Sequence, residues 1–235
     1  MKMERTEKCN RMVGKERYSV EDLQEIVEIL RGEGGCPWDR EQTHESIRND
    51  LIEETYEVIE AIDTNQTELL REELGDLLFQ ILFHAQIERE KGNFVLDDIV
   101  SDISAKMIHR HPHVFGEVTV KDTGEVLSNW ENIKTEEKQR NTLKDKLNAI
   151  PPMLPALMRG QKVVKKSGVY QDATSESLIL KLKEQIATLD MKTDKLELSD
   201  ALGSILLTLT AFAQNKGISA EQSFFEEINR FIDNF

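Results

Sequence analysis

Cysteine is scarce in this 235-residue chain: only Cys9 and Cys36 occur, with no CxxC pair or Cys/His zinc spacing around either. That excludes a disulfide scaffold and a thiolate zinc site, and makes a reducing cytoplasm the expected compartment. Basic residues are in deficit too, 30 Lys and Arg against 44 Asp and Glu, for a net charge of −14. This balance argues against a broad basic face for nucleic acid or anionic membrane, but a small anion held by local cations remains compatible with it. Long apolar runs are missing. The most apolar stretch, "ALGSILLTLTAFA", is shorter than the ~20 residues of a membrane span. The opening "MKMERTEKCNRMVGKERYS" lacks the apolar segment of a signal peptide. Alternating strand patterns are absent apart from a short "EVTV".

What remains reads as helix, in a chain whose 39% apolar and 31% charged residues suit one large or two small globular domains. "SVEDLQEIVEILRG" opens on a Ser19 cap with Asp22 three residues on and stops at Gly32. "GEGGCPWDREQ" reads as a Gly/Pro-rich loop. A second helix is expected from a Thr43 cap to about Asn65, with Ile47, Leu51, Val58 and Ile62 on one stripe, and a third from about Glu68 to Lys91, ending at Gly92. A fourth starts near Asp97 and ends before Pro112, and "EVLSNWENIKTEEKQ" is a fifth. "LNAIPPMLPA", with three prolines in five residues, marks a linker. Helices over 155–167, 175–190 and 195–216 follow, and Ser219 with Gln222 caps a last one. The fold class is all-α, a helical bundle.

The carboxylates sit in a pattern. With ~100° of turn per helical residue, Glu53, Glu54 and Glu57 occupy one arc, and Glu73 and Asp76 another on the next helix. In an antiparallel pair the two arcs would face each other at the edge of the apolar stripe. Mutual repulsion and lost solvation would be relieved by Mg²⁺, which takes carboxylates, waters and substrate phosphates in octahedral array. Spacing alone leaves a second reading open, in which these are solvated faces paired to Arg48 or Arg71. A di-iron bundle is rejected, because it needs two mid-helix ExxH motifs and only "EQTH" at Glu41 fits, at a helix start.

Four stretches together, "GCPWDREQTHESI", "EETYEVIEAI…EELGDLLFQILFHAQ", "KMIHRHPHVFGE" and "NWENIKTEEK", resemble MazG-type nucleoside triphosphate pyrophosphohydrolases in order, spacing and wording. The likeness is close over Tyr18–Lys138 and weaker beyond, where "LPALMRGQKVVKKSG" resembles the connector of two-domain members. It implies a helical bundle in tandem MazG-like domains, a homodimer, and Mg²⁺ (or Mn²⁺) held by Glu54, Glu57, Glu73 and Asp76. Glu53 would be an outer ligand or a base orienting water. Lys106 and Arg110, four apart on one face, would hold phosphates, and Trp130 would lie against the base or ribose. The implied reaction is water attack at the α-phosphorus of a nucleoside triphosphate, releasing monophosphate and pyrophosphate. The main rival is a non-catalytic nucleotide-binding or dimerisation module.

Other candidates take plainer roles. Trp38 and Asp39 are assigned to structure, Trp38 as a core plug. His84 is expected to be a satisfied core histidine, and His109, His111 and His113 a polar loop capping a helix end. "KVVKK" at Lys162 is placed on the surface. The expected organisation is an extension at 1–17, a catalytic domain at 18–138, a linker at 139–155 and a degenerate copy at 156–235. "LKEQIATL" echoes "IEETYEVI", and "DALGSILL" echoes "EELGDLLF". Ligand by ligand, Glu53 corresponds to Glu184, Glu54 to Gln185, Glu57 to Thr188, Glu73 to Ala201 and Asp76 to Ser204. The four proposed metal ligands are thus neutral in the second copy.

Overall fold

Helix-start chemistry sets most boundaries. The structure, a computed structural model, describes residues 2–137, 142–192 and 194–235. One compact unit spans Met1–Thr119. It contains α1 (Lys2–Met12), α2 (Val20–Arg31), the short α3 (Pro37–Glu41), α4 (Arg48–Asp63), α5 (Thr67–Lys91), α6 (Leu96–Arg110) and the short α7 (Pro112–Phe115). The other, Val120–Phe235, contains α8 (Thr123–Glu137), α9 (Leu143–Asn148), α10 (Ala156–Ser167), α11 (Ser175–Ala187), a 3₁₀ turn (Leu189–Met191), α12 (Lys195–Asn215) and α13 (Ala220–Ile232). No strand occurs among the described residues, and the fold is all-α. The domain boundary expected at 138/139 lies outside them.

Ser19 and Asp22 cap α2 reciprocally, side chain to backbone in both directions. Asp98 accepts the Val95 N–H at 2.9 Å to start α6. Gly92, at φ +74°, ends α5 in the left-handed conformation. Two local expectations fail. The segment "GEGGCPWDREQ" contains α3, because Pro37 at the first turn suits a helix start. The next helix begins at Arg48, not after Thr43. Thr43 and Ser46 cap each other (Thr43 N–H to Ser46 Oγ at 2.9 Å, Ser46 N–H to Thr43 Oγ1 at 3.3 Å), which closes a separate turn before Ile47.

The core of the first unit is Val27, Ile47, Leu82, Phe83 and Ile87, flanked by Leu23, Leu78, Phe79 and Leu96. Arg31, its side chain almost entirely buried, ties three segments to this core. It donates to the carbonyls of Asp39 (2.6 Å) and Gln42 (3.1 Å) and to both Glu90 oxygens (2.9 and 2.8 Å). Its guanidinium lies 5.0 Å from the Phe83 ring centroid. Trp38 does not plug this core: it is 58% exposed, while its neighbour Asp39 is buried. The loop is held by its backbone and by Arg31, which leaves the indole free to face outward. α1 packs on α2, with Met12 buried, Tyr18 Oη donating to the Met12 carbonyl at 2.9 Å, and Lys8 and Arg11 paired to Glu25.

The second unit centres on Val164, Leu178 and Ala211, against which Tyr170, Ala173 and Phe212 pack. Thr208 and Thr210 of α12 are buried with their hydroxyls donating to the Ser204 and Leu207 carbonyls (3.0 and 2.8 Å). α12 outruns the apolar stretch inside it. Among the described residues it is the one helix long and apolar enough, by length and composition alone, to cross a membrane.

Gly35 offers a direct test of how the exposed Trp38 loop is held. A Cβ there would stand 2.2 Å from the Leu30 carbonyl oxygen, inside the turn closed by the Cys36 N–H to Leu30 carbonyl bond of 2.8 Å. Gly35→Ala should lower the urea midpoint at unchanged m, by about 2 kcal/mol of stability, and should shift Trp fluorescence.

Candidate metal centre

α4 and α5 are joined by three residues, Thr64–Gln66, and such a short connection forces neighbouring antiparallel helices. Asn65 takes the left-handed conformation at φ 53°, while the Gln66 N–H bonds back to the Ala61 carbonyl at 3.0 Å. These two helices make the most extensive contact in the unit. The arcs predicted from spacing therefore meet. Glu54, Glu57 and Glu73 each present one carboxylate oxygen, and these oxygens all lie within 4.8 Å of one another. All three side chains are half-buried.

The electrostatics fit a site built for a cation. Burial, then the charges of Asp76 and Glu57, pushes the Glu54 carboxyl up to about 6. Glu73 is raised as well, by burial and by the charges of Glu57 and Asp76. Asp76 is thus close enough to act on both, though it is exposed and stands outside the three-oxygen cluster. Glu53 is exposed on α4 beside Glu54. The hard, oxygen-only donor set suits Mg²⁺ or Mn²⁺ and not a thiophilic metal.

The other predicted residues occupy two elements. Lys106 and Arg110 lie one turn apart on α6; Lys106 is exposed and Arg110 is buried at 6% exposure. Burial of an arginine whose charge must be engaged explains its fixed place at the helix end. His111 caps that end, its ring Nδ1 at 2.6 Å from the Met107 carbonyl, and His113 lies beside it. Trp130 is on α8 in the second unit, with the Lys134 ammonium 4.4 Å from its ring centroid. Lys134 was not among the predicted site residues; its i+4 spacing from Trp130 was the available signal. Lys162 is exposed on α10, as expected of a surface residue.

In the second unit α11 and α12 pack against each other. Where repulsion occupies the first helix pair, Gln185 Nε2 donates to Ser204 Oγ at 2.7 Å. This contact puts Gln185 opposite Ser204 as Glu54 stands near Asp76. Started at Leu182 and Ile52, the echoed stretches run one residue out of that register.

Residues 42–115 match the MazG nucleotide pyrophosphohydrolase domain, a span that includes Glu53, Glu54, Glu57, Glu73 and Asp76 together with Lys106 and Arg110. A nucleoside triphosphate pyrophosphohydrolase/pyrophosphatase MazG of Thermotoga maritima is 36% identical over 92% of this chain and 83% of its own length. A nucleoside triphosphate pyrophosphohydrolase of Escherichia coli K12 is 40% identical over 86% of this chain and 80% of its own. Bacillus subtilis YabN, an uncharacterised protein, is 50% identical over 60% of this chain and 28% of its own.

The raised Glu54 carboxyl has a pH signature. A folded pKa above the ordinary 4.5 contributes stability below 4.5 that is lost as pH rises through about 6. In chelator, Glu54→Gln should therefore raise Tm at pH 7.5 relative to wild type, with the difference shrinking toward pH 4.5. Differential scanning calorimetry across that range, with and without Mn²⁺, reads it. Divalent ion should stabilise the wild type more than the variant.

Proposed function

The chain belongs to the MazG nucleotide pyrophosphohydrolase family, and on that premise we propose that its residues 18–138 hydrolyse nucleoside triphosphates to nucleoside monophosphate and pyrophosphate with Mg²⁺. The observation that carries this reading is the convergence of Glu54, Glu57 and Glu73 within the matched domain. Glu54, Glu57, Glu73 and Asp76 would hold the ion. A bound divalent ion supplies charge neutralisation of the phosphates and a more acidic water. Glu53, exposed next to Glu54 on α4, would orient that water toward the α-phosphorus or take its proton. Lys106 and Arg110 would bind the phosphates, with Arg110 pre-positioned by its burial, and would stabilise charge on the departing pyrophosphate. Trp130 would contact base or ribose, and Lys134 over its ring adds a cation beside that contact.

A homodimer of cytoplasmic location completes the reading. Ile52, Tyr56 and Ile59 on α4 and Leu74 and Ile81 on α5 stay largely exposed, an apolar face that one helix pair does not cover. A second copy of the same pair would close a bundle over it. Residues 156–235 we read as a neutral copy retained for packing or assembly, since Gln185, Thr188, Ala201 and Ser204 offer no charge to a metal.

A triphosphate panel with Mg²⁺ is expected to yield pyrophosphate, with no activity in chelator; orthophosphate and diphosphate as main products would overturn the assignment. The rival, a nucleotide-binding module without catalysis, predicts binding and no product. Asp76→Asn in the full chain should lower kcat by at least about 100-fold with circular dichroism unchanged; residual metal-dependent hydrolysis at wild-type rates would place activity in the second unit. Lys106→Ala and Arg110→Ala should weaken turnover of all triphosphates alike, whereas Trp130→Ala should raise KM or reorder the bases. Steady-state kinetics on the same panel separates the two patterns.

A further inference from the structure

The second unit holds a cavity whose wall is polar throughout. It has a volume of about 210 Å³ and is lined by Glu131, Asn132, Lys134 and Thr135 of α8, Lys146 of α9 and Lys166 of α10. No apolar residue lines it, so it has no wall for a hydrophobic ligand. It is also smaller than the ~300 Å³ at which pockets for whole drug-sized ligands begin. A small polar group fits it.

Local structure gathers the lysines. Thr142 and Asp145 start α9 by reciprocal capping, and α9 packs on α10. Ile150, between these helices, is buried, and the Leu154 N–H bonds back to the Pro151 carbonyl at 3.4 Å to close the connector. Lys166 belongs to the "KVVKK" stretch. Lys162 and Lys165 of that stretch are exposed, whereas Lys166 is half-buried, as are Lys134 and Lys146.

Charge counting points to an anion. Three lysines line the cavity against one glutamate, an excess of two positive charges. Glu131 lies 3.6 Å from the Lys134 ammonium, which also stands 4.4 Å from the Trp130 ring centroid. Asp145, adjacent to Lys146 in sequence, is engaged in the α9 cap, where it accepts from the Thr142 N–H (3.2 Å) and hydroxyl (2.6 Å). Like charges gathered where solvation is reduced repel one another, and an anion between them offsets both costs. In a chain of net charge −14 this gathering is not the by-product of a basic surface. A phosphoryl group carries about −1.5 to −2 at pH 7, which matches the excess. The Asn132 amide can donate to it, while the Thr135 hydroxyl is used on the Glu131 carbonyl at 2.8 Å.

We propose that Lys146 and Lys166, together with Lys134, form a phosphoryl-anion site in the second unit. Its ligand is a phosphate group, either free or carried by a nucleotide. Lys134 serves both the cavity and the Trp130 ring, so an anion that enters competes for its ammonium and the indole reports the binding. The site does not depend on the metal reading above.

The test uses the full chain with Trp38→Phe, which leaves Trp130 as the one tryptophan. Metal is stripped on a chelating resin, so that the carboxylates of the first unit repel phosphoryl anions. Inorganic phosphate and pyrophosphate should each give a saturable change in Trp130 emission, with matching heats by titration calorimetry. Lys146→Gln and Lys166→Gln should each weaken binding about tenfold, the worth of one charge-assisted hydrogen bond, with circular dichroism unchanged. Lys146→Arg, which keeps the charge, should restore most of the affinity, and Lys162→Gln, on the exposed side of α10, should leave it unchanged. Adenosine monophosphate separates the two sources: binding tighter than inorganic phosphate makes the group part of a nucleotide, and equal or weaker binding makes it a free anion. No saturable binding by either readout overturns the site. So does a loss in Lys162→Gln equal to that in Lys146→Gln, because charge alone, and not the cavity, would then hold the anion.

Discussion

Like-charge repulsion between α4 and α5 is the constraint around which the first unit is arranged. Three half-buried carboxylates within 4.8 Å of one another push the two helices apart, and no cation from the protein is among the groups acting on Glu54. The helices stay paired because attraction is placed elsewhere along them. A three-residue connector holds one end. At the other, Ile47, Leu82, Phe83 and Ile87 supply the apolar burial, with Arg31 and His44 bridging to Glu90 and Glu88. Stability and site are thus separated on the same two helices, which lets the acidic end keep a geometry that only a bound cation makes favourable.

The second unit has a helix pair, α11 and α12, whose contact carries no such constraint at Gln185 and Ser204. Gln185 and Ser204 join these helices by a neutral hydrogen bond of 2.7 Å. Nothing there requires a cation to offset repulsion. Leu178 and Ala211 of the same helices belong to the core of that unit, seven residues from Gln185 and Ser204, the spacing that separates Ile47 and Phe83 from Glu54 and Asp76.

Periodicity and capping made most of the helices legible in the sequence, and the reasons are local. Ser19 with Asp22, Gly92 after Lys91 and Ser219 before α13 each act within a few residues, and their helices begin or end where the sequence indicates. Failures came where a local signal had two uses. Thr43 is a good cap, but it caps a turn with Ser46 and leaves α4 to start at Arg48. Trp38 follows Gly-Gly-Cys-Pro in a loop that is indeed fixed, yet fixed by Arg31 and its own backbone, so the indole faces solvent.

The sequence by itself determined the chemistry available: which acids share a helical arc, where helices stop, and the wording shared with the MazG family. These are properties of spacing and residue type, which need no long-range contact. Tertiary structure decided which arcs meet. It joined Glu54 and Glu57 to Glu73, set the register in which Gln185 answers Ser204, buried Arg110 while exposing Lys106, and brought His44 to His84 across forty residues. Each of those depends on how two helices are rotated against each other, and that rotation is set by side-chain packing summed over the whole interface, not by any one segment.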